Sequence, residues 1–197
     1  MGKGLHYSIR KDKSYFITMT VVEWIDLFTR LNHKRLITDS LNFCTQHKGL
    51  EIFGWCLMPS HLHMMCNAIN EFQLADTIRD FKKFTSKKLI EQISNETESR
   101  RDWMLDHFSS AADKHSKTKY YKIWQDGNHA IEIYTERVAW QKLNYIHQNP
   151  VKDGTVEHEQ DYLHSSARDY HNIKGLVDVC CLTPPVITTS SEDFFRT

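Results

Sequence analysis

The sequence carries no excess charge of either sign. Lys plus Arg and Asp plus Glu each number 25 in 197 residues. Overall basicity therefore does not point to nucleic acid, and any such role has to rest on local patches. Long hydrophobic runs are missing too: the longest fall far short of the roughly 20 residues that a membrane helix needs. No signal-peptide pattern opens the chain. The five cysteines (Cys44, Cys56, Cys66, Cys180 and Cys181) show no CxxC spacing and leave an odd count, which argues against a disulfide framework. The expectation is a reduced, cytoplasmic chain with no membrane span. Internal repeats and low-complexity tracts are absent as well. What is present, 40% apolar and 12% aromatic residues, suffices for one domain-sized core and excludes wholesale disorder.

The pattern of elements follows from periodicity. In "SYFITMTVV" (14–22), Tyr15, Ile17, Met19 and Val21 share one face and Phe16, Thr18 and Thr20 the other, which predicts a strand. Helical spacing of Leu36, Ile37, Leu41 and Phe43 or Cys44 predicts a helix over 32–47, stopped by Gly49. "LEIFGWCLM" and "HLHMMCNAI" flank Pro-Ser and predict a hairpin. Proline cannot take the positive φ of two-residue hairpin turns, so a longer or bulged connection is expected. An amphipathic helix is predicted over 72–93, with Leu74, Ile78, Phe81, Leu89 and Ile93 as its stripe. Its polar side carries Arg79, Lys82, Lys83, Lys87 and Lys88.

Residues of about 94–118 are polar and weakly periodic, and suit an inserted surface segment. "YYKIW" (120–124) predicts a strand. Residues 135–149 predict a helix capped by Thr135 and ended by Pro150, which pushes Asn149 out of helical geometry. The order predicts an α+β domain over 1–155, a largely antiparallel sheet with helices packed on it. Residues 156–197 read as a polar C-terminal extension, with "SSEDFFRT" at its end expected to be disordered.

Within "PSHLHMMC" (59–66), His61 and His63 lie one residue apart and so share a strand face. Two readings stand: a pair chelating one cation, or two half-buried histidines bonded to backbone or water. Cys66 falls on the opposite face, and Cys56 joins the histidines only in some hairpin registers, as a structural zinc site would require. On the helix at 135–149, Tyr145 is displaced from the stripe of Ala139, Leu143 and Ile146. Asn149 lies one turn on and Gln141 one turn back. A boundary tyrosine is the plain reading. Beside a two-histidine metal site, a Tyr and an amide at i and i+4 offer a nucleophile and a third ligand.

"GWCLMPSHLHMM" resembles the hairpin of the IS200-like (Y1) transposases, members of the HUH endonucleases named for histidine–hydrophobic–histidine. "YYKIWQDGNHAIEIYTERVAWQKLNYIHQNPVKDGTV" resembles the tyrosine helix of the REP-associated tyrosine transposase branch, and "DYLHSSARDY" (161–170) the element after it. The resemblance implies a ferredoxin-like antiparallel sheet with the histidines on a central strand. It implies His61 and His63 as metal ligands, Tyr145 as nucleophile and Asn149 as third ligand, where other family members carry Gln. The activity implied is transposition: the phenolate attacks a phosphodiester of single-stranded DNA beside a hairpin, leaving a 3′-hydroxyl and a 5′-phosphotyrosine link. Two imidazoles and an amide oxygen tolerate Mn²⁺ better than Mg²⁺, while abundance favours Mg²⁺. Lys82, Lys83, Lys87 and Lys88 are candidates for phosphate contacts, with a solvated helix face as the plain alternative. The segment holding Ser165, Ser166, Arg168 and Tyr170 is a further candidate. Gln141, His147 and His129 are candidates for supporting positions behind the ligands. Both a homodimer and a monomer are compatible with the resemblance. The rival functions are a hairpin-DNA-binding module without turnover, and a metallohydrolase without a covalent step.

Overall fold

The computed structural model describes residues 13–97, 99–113 and 120–183. Four strands, β1 (Ser14–Thr20), β2 (Leu50–Leu57), β3 (His61–Ala68) and β4 (Ile131–Ile133), form one sheet in the order β2-β3-β1-β4. Every neighbouring pair is antiparallel. Helix α1 (Leu31–His47) links β1 to β2, α2 (Leu74–Asn95) and α3 (Arg101–Asp113) follow β3, and α4 (Glu136–Lys152) follows β4. This is the α+β, ferredoxin-like arrangement expected from the sequence. Among the described residues no helix is long and apolar enough to cross a membrane.

Period-two patterning sorts the two faces of the sheet. Tyr15, Ile17 and Met19 of β1, Val21 just after it, and Leu62, Met64 and Cys66 of β3 join Ile37, Leu41, Phe81, Leu89 and Phe108 in the main core. On the other face Phe16, Cys56 and Met65 meet Ala139, Leu143 and Ile146 of α4 in a smaller core. Helices α1 to α3 thus cover one face and α4 the other.

A bulge between Ile52 and Gly54 leaves Phe53 without a cross-strand partner and reverses the phase of β2. Leu50 and Ile52 before it, and Trp55 and Leu57 after it, all reach the main core, while Cys56 falls opposite His63. Gly54 faces α4: a Cβ there would lie 2.5 Å from Leu143 Cδ1, so glycine lets the helix sit this close without displacing that side chain. The hairpin connection is longer than two residues, and Met58 N donates to His61 O across it at 2.8 Å. Gly49, with φ 60, follows the end of α1 as anticipated.

Three elements correct the sequence reading. The segment around 94–118 is not a polar surface insertion over its described part. Helix α2 runs to Asn95, and α3 buries Met104, Phe108 and Ala111 in the main core at helical spacing. Polar neighbours diluted that period in the sequence. Residues 120–124 are not a strand, because Lys122 N donates to Phe108 O and only Trp124 bridges β1's continuation, at Val21. The Trp124 indole plugs inward, donating to Thr85 Oγ1 at 3.0 Å, and the fourth strand is 131–133 instead. Finally, α4 passes through Pro150 with Asn149 inside it. Proline that close to a helix end removes a single ladder bond, and Asp153 N still donates to Asn149 O at 3.0 Å. Thr135 caps the helix as read, its Oγ1 accepting from Val138 N at 3.2 Å.

Residues 156–183 of the C-terminal extension pack on the sheet. Leu57 N donates to His164 O and Ser166 N to Trp55 O, both at 2.9 Å, so this segment straps the outer edge of β2. Tyr162 Oη donates to Leu57 O and Tyr170 Oη to Phe53 O, each at 2.8 Å. His147 of α4 reaches Ser166 Oγ at 2.8 Å, and Trp55 N donates to the same oxygen at 2.9 Å. One hydroxyl therefore ties α4, β2 and the strap together. The C-terminal "SSEDFFRT" lies outside the described residues.

Ser166→Ala should destabilise the protein by about 1–3 kcal/mol, because it strands buried polar groups on His147 and Trp55; urea unfolding measures this. Burial lowers the pKa of His147 and of His164 to about 4, against about 6.5 in the unfolded chain. Between those values the unfolded state binds more protons. Stability should therefore hold above about pH 6.5 and fall as the pH drops toward 4, which thermal melts across that range would register.

Candidate active site

Pairing of β1 with β3 places Thr18 opposite His63 and Thr20 opposite His61. The alternation carries both histidines to the face under α4, with ring centroids 4.6 Å apart at 73°. Cys66 turns to the main core. Helix α4 brings Tyr145 over the pair, its ring 5.2 Å from that of His63. Phe16 closes the group, stacked on His63 at 5.5 Å and edge-on to Tyr145 at 5.8 Å. Tyr145 is 42% exposed and His63 only 4%, so an accessible phenol stands over a buried imidazole.

Burial keeps both imidazoles neutral. The pKa of His63 is lowered to about 3 by burial first, then by His61 and by Lys142. That of His61 is lowered by burial, opposed by Asp153. Lys142, one turn before Tyr145, lies 4.9 Å over the Phe16 ring. Thr18 Oγ1 is 2.9 Å from His63 Nδ1, and Ser60 Oγ is 3.2 Å from His61 Nδ1. The other ring nitrogen of His63, Nε2, is buried and has no hydrogen-bond partner. An orphaned buried nitrogen costs about 1–3 kcal/mol and calls for an explanation. A neutral imidazole giving Nδ1–H to Thr18 and keeping a bare lone pair at Nε2 is the form that ligates a cation.

The donor set fits a divalent ion held by two imidazoles with oxygen donors. Among the described residues, no three or more His, Cys, Asp or Glu side chains come together as a metal-binding group. Cys56 does share the histidine face. Its thiol, however, lies 3.7 Å from Met58 Sδ, and burial pushes its pKa up to about 12. Among the described residues Cys56 does not complete a group of three such ligands with the two histidines, as the closed zinc site considered from the sequence would need.

The remaining candidates are scattered. Asn149 is half-buried on α4, and its Nδ2 donates to Tyr145 O at 2.6 Å. Gln141 is exposed one turn before Tyr145. His147 is buried against the strap rather than beside the phenol. His129 is exposed, with φ 42, in the loop whose Asn128 O accepts from Thr18 N at 2.8 Å.

The lysines of α2 lie across the sheet from the histidines, because the apolar stripe of that helix packs in the main core. Lys82 is not a phosphate contact. Its ammonium donates to the carbonyls of Gln125 (2.8 Å) and Gly127 (3.0 Å) and to Asn128 Oδ1 (3.1 Å), and burial lowers its pKa to about 8. Lys83 is exposed, and Lys87 and Lys88 share Glu91 at 4.0 and 2.7 Å. Arg168 sits within the strap, Nη1 3.5 Å from Gln160 O. Ser165 and Ser166 are fully buried and Tyr170 is bonded to β2, so these three are committed to structure, contrary to the expectation of DNA contacts. The sequence reading missed Thr18, Phe16 and Trp24, whose ring is 5.5 Å from His61. The only available signal was that Phe16 and Thr18 fall on the strand face opposite Tyr15, Ile17 and Met19; the register that gives them partners is not written locally.

No curated protein matches the chain. Among solved structures, a REP-associated tyrosine transposase bound to a REP hairpin aligns with TM-score 0.61 and 17% identity, over 94% of this chain and 96% of that one. A proposed transposase from Deinococcus radiodurans R1 aligns with TM-score 0.42 and 16% identity, over 74% and 95%. At 17% identity the first of these likenesses speaks to the fold. The family of IS200-like transposases matches residues 15–122, more than half of the chain and including both histidines. The protein belongs to the IS200-like transposases.

Proposed function

We propose that this chain is a metal-dependent endonuclease and strand transferase acting on single-stranded DNA beside a hairpin, through a covalent bond to Tyr145. The observation that carries the reading is the convergence of His61, His63 and Tyr145, with His63 Nε2 buried and unpartnered. The hairpin bound in the structural neighbour supports DNA as the substrate class.

His61 and His63 would hold the ion, Mg²⁺ or Mn²⁺, with Asn149 Oδ1 as the third protein donor. When bound, such an ion polarises a phosphate oxygen. The chain's own groups do the rest. Thr18 holds His63 in the tautomer that leaves Nε2 bare. Lys142 adds positive charge where a phosphate would approach. Tyr145 Oη attacks phosphorus, the bond from phosphorus to the 3′ oxygen breaks, and that oxygen takes up the proton the phenol loses. The products are a 3′-hydroxyl and a 5′-phosphotyrosine. Because the phosphodiester is exchanged rather than hydrolysed, a later 3′-hydroxyl can reseal the strand without ATP. One chain supplies both histidines and the tyrosine, so a monomer suffices for this site.

The reading is tested on a denaturing gel with labelled hairpin oligonucleotides carrying single-stranded flanks. Wild type with Mn²⁺ or Mg²⁺ should yield a heat- and detergent-stable adduct. Tyr145→Phe or a chelator should abolish it. Hairpin binding with no adduct under either metal would instead assign the chain to the binding modules. Thr18→Val removes only the hydroxyl behind His63 and should raise the metal concentration for half-maximal adduct by about 10–100-fold. An unchanged metal requirement would exclude a ligand role for His63 in that tautomer.

A further inference from the structure

The turn between β1 and α1 contains the one place among the described residues where two consecutive non-glycine residues take positive φ: Glu23 at 54 and Trp24 at 57. The left-handed region is unfavourable for any residue with a Cβ, and such strain persists only where the surroundings over-determine it. Here they do. Val22 and Ile25, on either side, are buried in the main core. Val22 N donates to Ile123 O and Phe28 N to Pro59 O, both at 2.8 Å. Helix α3 and the residue before it brace the turn from outside: His107 Nδ1 of α3 contacts the Glu23 carboxylate, and Arg100 Nη2, just ahead of the helix, donates to Asp26 O at 3.1 Å.

This arrangement has one evident product. The chain leaves the core for two residues and sets the Trp24 indole in solvent, 59% exposed, edge-on to His61. Neighbouring Val22, Ile25, Leu27 and Phe28 are all buried, so Trp24 alone among the apolar residues of 22–28 is turned to solvent. The position is contiguous with the histidines and Tyr145, and an exposed aromatic face accepts any base by stacking.

We propose that Trp24 is a stacking platform for a nucleobase of single-stranded DNA flanking the phosphate presented to His61, His63 and Tyr145. Helix α3 supports it by holding the strained turn. The proposal rests on the single-stranded DNA reading of the site and specifies how a base next to that phosphate is held. The contact is tolerant of base identity, because every base offers a π face.

The test reads binding rather than cleavage, by fluorescence anisotropy of labelled hairpins in metal-free buffer. Each nucleotide of the single-stranded flank is replaced in turn by an abasic residue. At one position the abasic substitution should weaken wild-type binding by about tenfold, as loss of one base–aromatic stack does, and should weaken Trp24→Ala binding hardly at all. Trp24→Phe, which keeps an aromatic face, should restore the penalty at that position. If the abasic penalties are the same in wild type and Trp24→Ala at every position, the platform is overturned. Because cleavage plays no part, absence of a covalent adduct would count against Tyr145 chemistry alone, while the abasic series judges Trp24.

Discussion

The site depends on one register, the antiparallel pairing of β1 with β3. Six consecutive pairs, from Tyr15 with Cys66 to Thr20 with His61, set it. Side chains alternate with period two, so a slip of one residue would turn His61 and His63 into the main core and bring Leu62 and Met64 under α4. The hydrophobic pattern forbids that slip, since Ile17, Met19, Leu62 and Met64 are all wholly buried on the opposite face. The same burial that stabilises the sheet thereby aims the imidazoles. It also brings the Thr18 hydroxyl to His63 Nδ1 and Phe16 against the rings of His63 and Tyr145.

Having been placed there, the histidines are costly to the fold. His63 is held neutral by burial and carries a ring nitrogen with no partner. The two left-handed residues beside His61 add backbone strain. Such departures from local consistency concentrate where function resides, and the main core under α1 to α3 supplies the offsetting stability. The division of labour is spatial. One face of the sheet is a large apolar core; the other is a smaller one, open enough beside α4 to leave Tyr145 accessible.

Helix α4 is aligned from two directions. Gly54 lets Leu143 approach the sheet closely, and the Ser166 hydroxyl joins His147 to β2. Tyr145 lies between Leu143 and His147 in sequence, so both contacts bear on the phenol's position. The strap formed by 156–183 thus serves the site through α4 rather than through its own polar groups. The cationic face of α2 lies on the far side of the sheet, and Lys82 there holds the loop at 125–128 in place.

Local periodicity determined a good deal. The first strand, helices α1 and α2, the hairpin, the Thr135 cap and the shared face of His61 and His63 all follow from residues close in sequence. So did the displacement of Tyr145 from its helix's apolar stripe, which marked it as a candidate. Tertiary structure decided the rest: that Met104 and Phe108 are core, that Trp124 plugs inward instead of forming a strand, and that α4 tolerates Pro150. It alone brought Thr18 to His63, 45 positions away, and Ser166 to Trp55, 111 positions away. Spacing along a chain reports which face a side chain occupies. Which side chain it meets there depends on strand register and on packing between distant segments, and those are properties of the folded whole.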